Sequence, residues 1–574
     1  VSGFSTDVKH PFEEGKNRLK AAPTQEKITL VLILSFVVML GTELLFGPVF
    51  ITVLVGITTF LLYIYWFATR NFDYWKKRNV PFAKPFPLVG SLLDTLRNPM
   101  HEVELKRYKE LGRIYGHFEG SRQLLSVGEP ALLKNILVKD FHIFPRGRVF
   151  STSDEIMKHV VSNLQGEDWK RVRSIISPTF STGKIKRMMG IMKESSQTTV
   201  QNIKALIRKG EPIRAKRLYG AFTMDVIASS AFSTKIDSHN DPDNEFVKMA
   251  RKVFSGTINW RFIALLVFPQ LEKWLRISFF PPDVCTFFRD VTLQIIEERK
   301  RTGQTRNDFL QLLMDTAKEL QEGGNPEEKE KETEDIASPY GGVSTDHQVF
   351  KNVSKKNMSM SELVAQCVVF FIGGYEGVSS ALAFAAYQLA LHPDIQERVH
   401  EELVEAVKQS NGELTYETLQ NMKHLDNVIS ETLRLFPPAI RAERMAFEDY
   451  ELGDTGITIP KGTIVTIPIY AMHRDSEVFP DPEKFDPDRW TAEESQKRDQ
   501  FGYLPFGAGP RNCVAMRFAL IELKVCLAYT ILNFKITKSP LTKVPLEFYL
   551  GQGLLQPKDV VIAMEERPDA PDLK

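Results

Sequence analysis

The sequence predicts a mainly helical catalytic domain with a smaller β-rich part, preceded by an N-terminal membrane anchor. The apolar run Leu44–Ala68 carries no charge over twenty-five residues, which is long enough to span a bilayer. A second apolar run, Ser359–Leu391, begins with a capping-box pattern and ends before His392-Pro393, which predicts a helix of roughly 48 Å. Short alternating runs, Ile114–Phe118 and Leu124–Val127 among them, predict the strands of a small sheet.

The composition narrows the class of protein. The chain has 574 residues, of which 43% are hydrophobic and 25% charged, and this is enough for a large core. A formal net charge of +1 argues against a nucleic-acid partner. The four cysteines show no C-x-x-C spacing, so the sequence predicts neither a disulfide framework nor a zinc site, and it predicts a reducing compartment. These cysteines are Cys285, Cys367, Cys513 and Cys526.

The first ninety residues divide into three parts. Residues 1–27 are polar, 28–69 form a hydrophobic membrane-anchor region, and 70–90 form a basic, proline-rich linker. The run Ile28–Thr42, which precedes the predicted span, is open to three interpretations: a cleaved signal, an interfacial segment or half of a hairpin. Positive charge directly after a span marks its cytoplasmic flank, so the rest of the chain is predicted to face the cytosol. The charges in question are Arg70, Lys76, Lys77 and Arg78.

The catalytic domain is predicted over residues 91–570, and one segment within it has a different composition. Residues 321–357 are dominated by Gly, Pro, Glu, Lys and Ser, which is too polar to bury itself. We therefore expect a disordered surface loop inserted within the domain.

Cys513 is the residue around which the chemistry is predicted to be organised. It ends a glycine-bearing loop and directly precedes an apolar, helix-forming run that begins at Val514. Unpaired backbone N–H groups and the positive end of a helix dipole lower the pKa of a thiol in this position. The flanking residues include no histidine that could activate a nucleophile, so the sequence favours a metal ligand.

The stretch around this cysteine, F-G-A-G-P-R-N-C-V-A-M-R-F-A-L-I-E-L-K (Phe506–Lys524), resembles the haem-binding signature F-x-x-G-x-R-x-C-x-G of the cytochrome P450 superfamily. Every fixed position matches except the last, where Ala515 replaces glycine. The resemblance implies the cytochrome P450 fold, haem b as the cofactor, and the Cys513 thiolate as the axial iron ligand. It covers about Asn71–Arg567 and points to the microsomal clan that contains the vertebrate drug-oxidising enzymes and thromboxane synthase.

The same resemblance assigns further residues to the cofactor. Trp169 and Arg173 are four residues apart, hence on one helix face, and the resemblance places both on a haem propionate. It places Arg444 and Arg511 on the propionates as well. Phe506 opens the cofactor-binding loop.

The long helix contains I-G-G-Y-E-G-V-S-S (372–380), which resembles the family pattern A/G-G-x-D/E-T-T/S. In that pattern the acid and the first threonine deliver protons to the oxygen that is being reduced. Gly374 and Glu376 match, but Gly377 stands where threonine is usual and has no hydroxyl. Ser380, about 300° round the helix from Gly377, is the candidate replacement. The three glycines of this stretch predict a distorted groove, since each costs a helix about 0.5–1 kcal/mol relative to alanine.

A further motif is predicted to be structural. Glu431 and Arg434 are three residues apart in E-T-L-R and share a helix face. The resemblance joins them to Arg489 of P-D-R-W as a triad that holds the core beneath the haem.

From these residues we expect a membrane-bound haem-thiolate monooxygenase that oxidises a lipophilic small molecule, whether a xenobiotic, a steroid or a fatty-acid-like compound. It would use O2 and electrons from NADPH-cytochrome P450 reductase, with cytochrome b5 as a further candidate partner and membrane lipid around the anchor. The expected location is the endoplasmic reticulum membrane. Two alternatives stay open: a P450-type isomerase or synthase that rearranges a peroxide without a reductase, and a haem-bearing ligand-binding protein with little turnover. The missing threonine is less damaging to a peroxide rearrangement.

Overall fold

A computed structural model of the chain describes residues 48–148, 154–232, 234–241, 244–254, 281–306, 308–321, 357–550 and 553–571, together with 33, 35–37, 350 and 573. The chain divides into two compact units, Val1–Asn71 and Phe72–Lys574. The run Ile28–Thr42 and the loop predicted over 321–357 lie largely outside the described residues.

The described part of the first unit is dominated by one apolar helix, α1 (Pro48–Thr69). Its large apolar side chains are exposed, Phe60 at 62%. By length and composition, Phe50–Thr69 is a candidate membrane span. A second helix of the chain, Met360–Leu391, passes the same test, but it is mostly buried inside the second unit, as the core helix of a soluble domain would be. The membrane-anchor prediction therefore falls on α1.

Helices make up most of the second unit. In chain order they are α2 (Leu92–Arg97), α3 (Met100–Leu111), α4 (Pro130–Lys134), α5 (Glu155–Lys158), α6 (Gly166–Ile176), α7 (Thr182–Lys209), α8 (Ala215–Phe232), α9 (Glu245–Phe254), α10 (Pro282–Thr302), α11 (Phe309–Gln321), α12 (Met360–Leu391), α13 (Pro393–Gln409), α14 (Tyr416–Gln420), α15 (Lys423–Leu435), α16 (Ile469–Met472), α17 (Ala492–Gln496) and α18 (Met516–Asn533).

The strands form small sheets beside these helices. They are β1 (Ile114–Glu119), β2 (Arg122–Val127), β3 (Ile213–Arg214), β4 (Ala442–Met445), β5 (Tyr450–Glu451), β6 (Thr458–Ile459), β7 (Ile464–Ile467), β8 (Phe534–Thr537) and β9 (Val561–Glu566). The largest sheet has the order β1-β2-β7-β4; β2 and β7 are parallel, and its other pairs are antiparallel. Strands β3, β9 and β8 form a second sheet, and β5 pairs with β6. The prediction of a mainly α fold with a smaller β-rich part is confirmed.

The segment predicted as a linker, 70–90, packs onto the largest sheet from Phe72 onward. Trp75 is 1% exposed, and its ring fills the space above Gly116 of β1, where a Cβ would lie 2.3 Å from the indole. Phe82 forms a parallel bridge with the same glycine. Because a large aromatic side chain and backbone hydrogen bonds fix this segment, the compact unit begins near residue 72 and not at 91.

The long helix α12 lies at the centre of the core. Ser359 caps it through the predicted capping box with Glu362, and the helix runs unbroken to Leu391. The glycines of this helix therefore do not distort its backbone. Gly374 instead permits close packing against α8, since a Cβ there would lie 2.8 Å from Ile227 Cδ1. Apolar residues of α8, such as Phe222, join those of α12 in one buried cluster.

The three residues predicted as a structural triad lie together. Arg434 donates from Nε and Nη2 to the two carboxylate oxygens of Glu431, at 2.8 Å each, and both side chains are fully buried. Arg489 Nε lies 3.4 Å from Glu431 Oε1, which is an ion-pair contact. Trp490 Nε1, which the prediction omitted, donates to Glu431 Oε2 at 3.0 Å. The carboxylate is thus surrounded by donors from two segments of the chain.

Candidate active site

The loop before α18 presents the Cys513 thiol. Gly507 and Gly509 have φ values of 72° and 73°, a region that L side chains rarely adopt, and a Cβ on Gly509 would collide with the Leu137 carbonyl. The Cys513 N–H donates to the Phe506 carbonyl at 2.9 Å and closes the loop. The cysteine side chain is exposed, whereas the other three cysteines are buried.

The environment of this thiol differs from the prediction in one respect. Helix α18 begins at Met516, three residues after Cys513, so the thiol does not lie on the first turn. Although the Cys513 side chain is accessible, protein atoms surround it closely enough for desolvation to raise the pKa of the thiol, and the Ala515 N–H and the charge of Arg173 only partly offset this rise. A bound metal ion would deprotonate such a thiol outright. Thiolate at this position therefore depends on the metal more than on the helix dipole.

Guanidinium groups cluster near this loop. The Arg511 guanidinium lies 4.2 Å from the ring centroid of Trp169 and donates to two backbone carbonyls. Burial lowers the pKa of Arg511 to about 9, with further contributions from the charges of Arg444, Arg173 and Arg146. Such repulsion between buried cations is relieved when an anion is bound among them.

Arg444 and Arg173 complete the predicted set. Burial lowers the pKa of Arg444 to about 10. Within the described residues, no side chain accepts from its buried Nε, and no carboxylate pairs with Arg444 or Arg511. Arg173 donates to the carbonyl and to the side-chain oxygen of Asn512, the residue before the cysteine, at 3.0 and 2.8 Å. The predicted residues Trp169, Arg173, Arg444 and Arg511 are thus brought to one place beside the Cys513 loop.

These residues fit a haem. The described part of the chain has buried guanidinium groups that lack carboxylate partners, which suits two propionates. An accessible thiol lies on the adjoining loop. Cys513 would hold the iron, and Arg173, Arg444 and Arg511 would hold the propionates.

One face of α12 borders open space. A Cβ on Gly373 or on Gly377 would meet nothing within 4 Å, and these residues are one turn apart on the same face. Phe370 of α12 and Phe518 of α18 both contact the Phe180 ring, at centroid distances of 5.1 and 6.3 Å. The open face and the start of α18 therefore belong to one apolar cluster.

The polar side chains of Glu376 and Ser380 in α12 point towards α8 and not towards the open face of the helix. Ser380 Oγ donates to Glu376 Oε1 at 3.1 Å, and Lys216 Nζ of α8 donates to both of these groups, at 2.7 and 2.8 Å. The Ser380 hydroxyl is therefore bound to the Glu376–Lys216 pair and does not fill the open space at Gly377. Proton delivery through Glu376 and Ser380 remains a prediction.

Three further residues of this region could not be predicted from the sequence. Lys216 lies 160 residues before its partner Glu376, and no spacing rule could join them. Asn512 occupies a variable position of the cysteine signature, and its contact with Arg173 depends on the tertiary fold. Arg146 adds to the guanidinium cluster, and its buried Nε finds no acceptor in the part of the chain that is described.

The accessible Cys513 thiol, the guanidinium cluster and the open helix face are together the features expected of a haem-thiolate protein. The sequence model of the family described as "Cytochrome P450" matches residues 80–564. Cytochrome P450 3A13 of Mus musculus is 36% identical over 512 residues, which is 88% of this chain and 95% of that protein. Cytochrome P450 3A5 of Homo sapiens is 35% identical over 521 residues, 90% of this chain and 96% of that protein.

The chain belongs to the cytochrome P450 family. It is a monooxygenase with haem b as its cofactor, and the resemblance drawn from the cysteine signature is confirmed.

We expect Cys513→Ala to abolish the strongly red-shifted Soret band of the reduced, carbon-monoxide-bound protein, because alanine offers no thiolate to the iron. The measurement is a reduced-CO difference spectrum of the purified protein. Cys526→Ala is the matched control, since Cys526 lies buried within α18 and should leave the band in place. A red-shifted band that persists in Cys513→Ala would contradict the ligand assignment.

Proposed function

We propose that this protein inserts one oxygen atom of O2 into a lipophilic small molecule, with electrons from NADPH-cytochrome P450 reductase. The observation that carries the proposal is the open, apolar face of α12 beside the Cys513 loop. Partly buried hydrophobic residues of α12, of the cysteine loop and of α18 pack against one apolar cluster, which suits a substrate with little polarity. They are Val369, Phe370, Val514, Ala515 and Phe518.

The chain's own residues have separate tasks in this reaction. When bound, haem supplies the activation of O2, and the protein supplies the ligand, the pocket and the protons. Cys513 contributes the thiolate, while Arg444 and Arg511 fix the cofactor through its carboxylates. The apolar cluster around Phe180 and Phe370 excludes water from the substrate. Glu376 adjoins Gly377 in sequence, and it is the acid that we assign to proton supply, although Ser380 and Lys216 hold its Oε1 on the side of α12 that faces α8.

We place the protein in the endoplasmic reticulum membrane, with α1 as the anchor and the catalytic unit in the cytosol, where the reductase and cytochrome b5 would reach it. The basic residues after α1 support this orientation. Protease added outside intact microsomes should digest the catalytic unit and leave the anchor. Protection of the catalytic unit would reverse the orientation.

A second function is favoured by one observation. Gly377 offers no hydroxyl to the open groove, and the Ser380 hydroxyl is bound elsewhere. An enzyme that rearranges a peroxide needs no protonation of reduced oxygen and tolerates this loss.

Reconstitution with NADPH-cytochrome P450 reductase separates these functions. For the monooxygenase we expect NADPH and O2 to be consumed together when a lipophilic substrate is added, and one hydroxylated product to appear. A screen of steroids, fatty acids and xenobiotics identifies the substrate by its spectral shift before turnover is measured. Peroxide rearrangement without NADPH, and no NADPH-dependent product, would identify the synthase instead.

We expect Gly377→Thr to raise the amount of product formed per NADPH consumed. The threonine hydroxyl can position the proton that is transferred, whereas glycine has no group that can do so. Positioned proton transfer contributes about 10²- to 10⁴-fold in general, and a gain of about tenfold in coupling is a modest share of it. The open space at Gly377 accommodates the side chain. Gly377→Val is the matched control, because it has the same shape without the hydroxyl. Equal coupling in the two variants would show that the hydroxyl is not what the groove lacks.

A further inference from the structure

His117 is a buried imidazole to which the described part of the chain offers no hydrogen-bond partner. It lies in β1 and is 1% exposed, and neither Nδ1 nor Nε2 is bonded to a described residue. Side chains alternate along a strand, so His117 shares one face of β1 with Tyr115 and Glu119. Both of those neighbours have partners, since Tyr115 donates to Glu104 and Glu119 accepts from two arginines. His117 is therefore the exception on a face of paired polar groups.

Packing does not explain a histidine at this position. A buried polar group without a partner is unfavourable, whereas a phenyl ring suits a buried strand position and has no polar atom to satisfy. Burial lowers the pKa of His117 well below its usual range, and the charges of Arg441 and Arg107 add to this effect. The imidazole is thus neutral, with one N–H donor and one acceptor nitrogen.

The imidazole lines a cavity of about 430 Å³, which is within the size range of sites that bind small molecules. Leu92 of α2 and Met100 of α3 make part of its wall apolar. Arg444 and Arg511, the two guanidinium groups that fit the haem propionates, belong to the same wall. The cavity therefore adjoins the cofactor site and extends from there to β1.

The ion pairs around His117 balance three arginines against three glutamates. They are Arg107–Glu104 at 3.9 Å, Arg148–Glu119 at 2.5 Å, Arg148–Glu443 at 3.1 Å, and Arg441 with Glu104, Glu119 and Glu443 at 3.6, 2.6 and 3.2 Å. The largely exposed Asp94 is a further partner of Arg107. An anion at His117 would meet these carboxylates, and a cation would meet the guanidinium groups. The surroundings of His117 therefore favour a neutral ligand.

Both donors and acceptors are left over in this cluster. Besides the nitrogens of His117, Arg107 Nε and Glu104 Oε1 are buried and have no hydrogen-bond partner among the described residues. A carbonyl oxygen only accepts, so it would satisfy the donors alone. A hydroxyl group accepts from one of these donors and donates to one of these acceptors at the same time.

We propose that this cavity is a substrate subsite that binds a hydroxyl group at the polar end of an otherwise lipophilic molecule, with His117 as the specificity-determining residue. The inference rests on the proposed oxidation of a lipophilic small molecule, and it narrows the substrate class to neutral alcohols. Leu92 and Met100 contact the apolar carbons next to the hydroxyl.

Three small probes that differ only in their polar group test this subsite. They are trans-4-tert-butylcyclohexanol, 4-tert-butylcyclohexanone and trans-4-tert-butylcyclohexanecarboxylate, titrated calorimetrically into the haem-loaded protein. We expect the wild type to bind the alcohol about tenfold more tightly than the ketone, which is the scale of one buried polar group left unpaired, and to bind the carboxylate most weakly. Equal affinity for the alcohol and the ketone, or no binding of the alcohol, would overturn the proposal, and so would tightest binding of the carboxylate.

Two variants of His117 separate hydrogen bonding from packing. In His117→Phe, which removes both nitrogens, the alcohol and the ketone should bind with equal affinity. In His117→Gln, whose amide keeps a donor and an acceptor, the alcohol should again bind more tightly than the ketone. His400→Phe is the matched control, because His400 of α13 is also buried with an unbonded Nε2 among the described residues and does not line the cavity. It should bind the probes as the wild type does.

A preference for the alcohol that persists in His117→Phe would contradict the role of His117, and its loss in His117→Gln would contradict recognition by hydrogen bonding. The reduction potential of the haem tests whether His117 serves the cofactor instead. A changed potential in His117→Phe, together with an unchanged preference for the alcohol, would assign His117 to a propionate and overturn the subsite.

The subsite and the proposed function fail in different experiments. Wild-type protein that prefers the alcohol but oxidises no lipophilic compound with NADPH and the reductase would contradict the proposed function and leave a binding site for alcohols. NADPH-dependent oxidation by a wild type that does not distinguish the alcohol from the ketone would overturn the subsite alone.

Discussion

The buried ion pair between Glu431 and Arg434 is the interaction on which the position of the segment before the cysteine loop depends. Besides its carboxylate partner, the Arg434 guanidinium donates to the carbonyls of His473, Pro482 and Lys484, which lie on a segment far along the chain. Two charges without solvent are tolerated only when every donor and acceptor is used, and here they are. The pair therefore fixes the course of a long irregular segment that has little secondary structure of its own.

His473 extends this constraint towards the cysteine loop. Burial and the charge of Arg434 lower the pKa of His473 to about 3, so the imidazole stays neutral. A neutral ring has one donor and one acceptor: Nδ1 contacts the Arg434 carbonyl at 3.2 Å, and Nε2 accepts from the Leu504 N–H at 2.9 Å. Leu504 begins the turn that leads to Phe506, whose carbonyl holds the Cys513 N–H. These hydrogen bonds, together with the short backbone stretch from Leu504 to Phe506, thus join the triad to the backbone of Cys513.

Arg444 of β4 and Arg441, the residue before that strand, differ in their charged partners. Arg441 pairs with Glu119 at 2.6 Å, within a buried network that also contains Arg148 and Glu443. Arg444, three residues later, has no carboxylate partner among the described residues. Carboxylates of the protein thus neutralise Arg441, whereas the lack of such a partner at Arg444 fits the prediction that Arg444 binds a haem propionate. The sequence R-A-E-R alone does not indicate which of the two arginines is paired with a carboxylate. That pairing depends on Glu119, which lies in a strand more than three hundred residues away along the chain.

The sequence by itself determined those features whose physical cause is local. The uncharged run of α1, the capping box of α12 and the order of the cysteine, E-x-x-R and arginine motifs were all readable, because bilayer thickness, helix geometry and a fixed ligand signature act over a few residues. Tertiary structure alone decided what lies opposite them. Trp75 fills the space over Gly116 and turns a predicted linker into part of the core. Lys216 donates a hydrogen bond to the hydroxyl of Ser380. Helix geometry alone had suggested this hydroxyl as the replacement for the missing threonine hydroxyl. Each of these contacts joins residues distant in the chain through the burial of a ring or a charge, and such burial leaves no periodic or spaced pattern in the sequence.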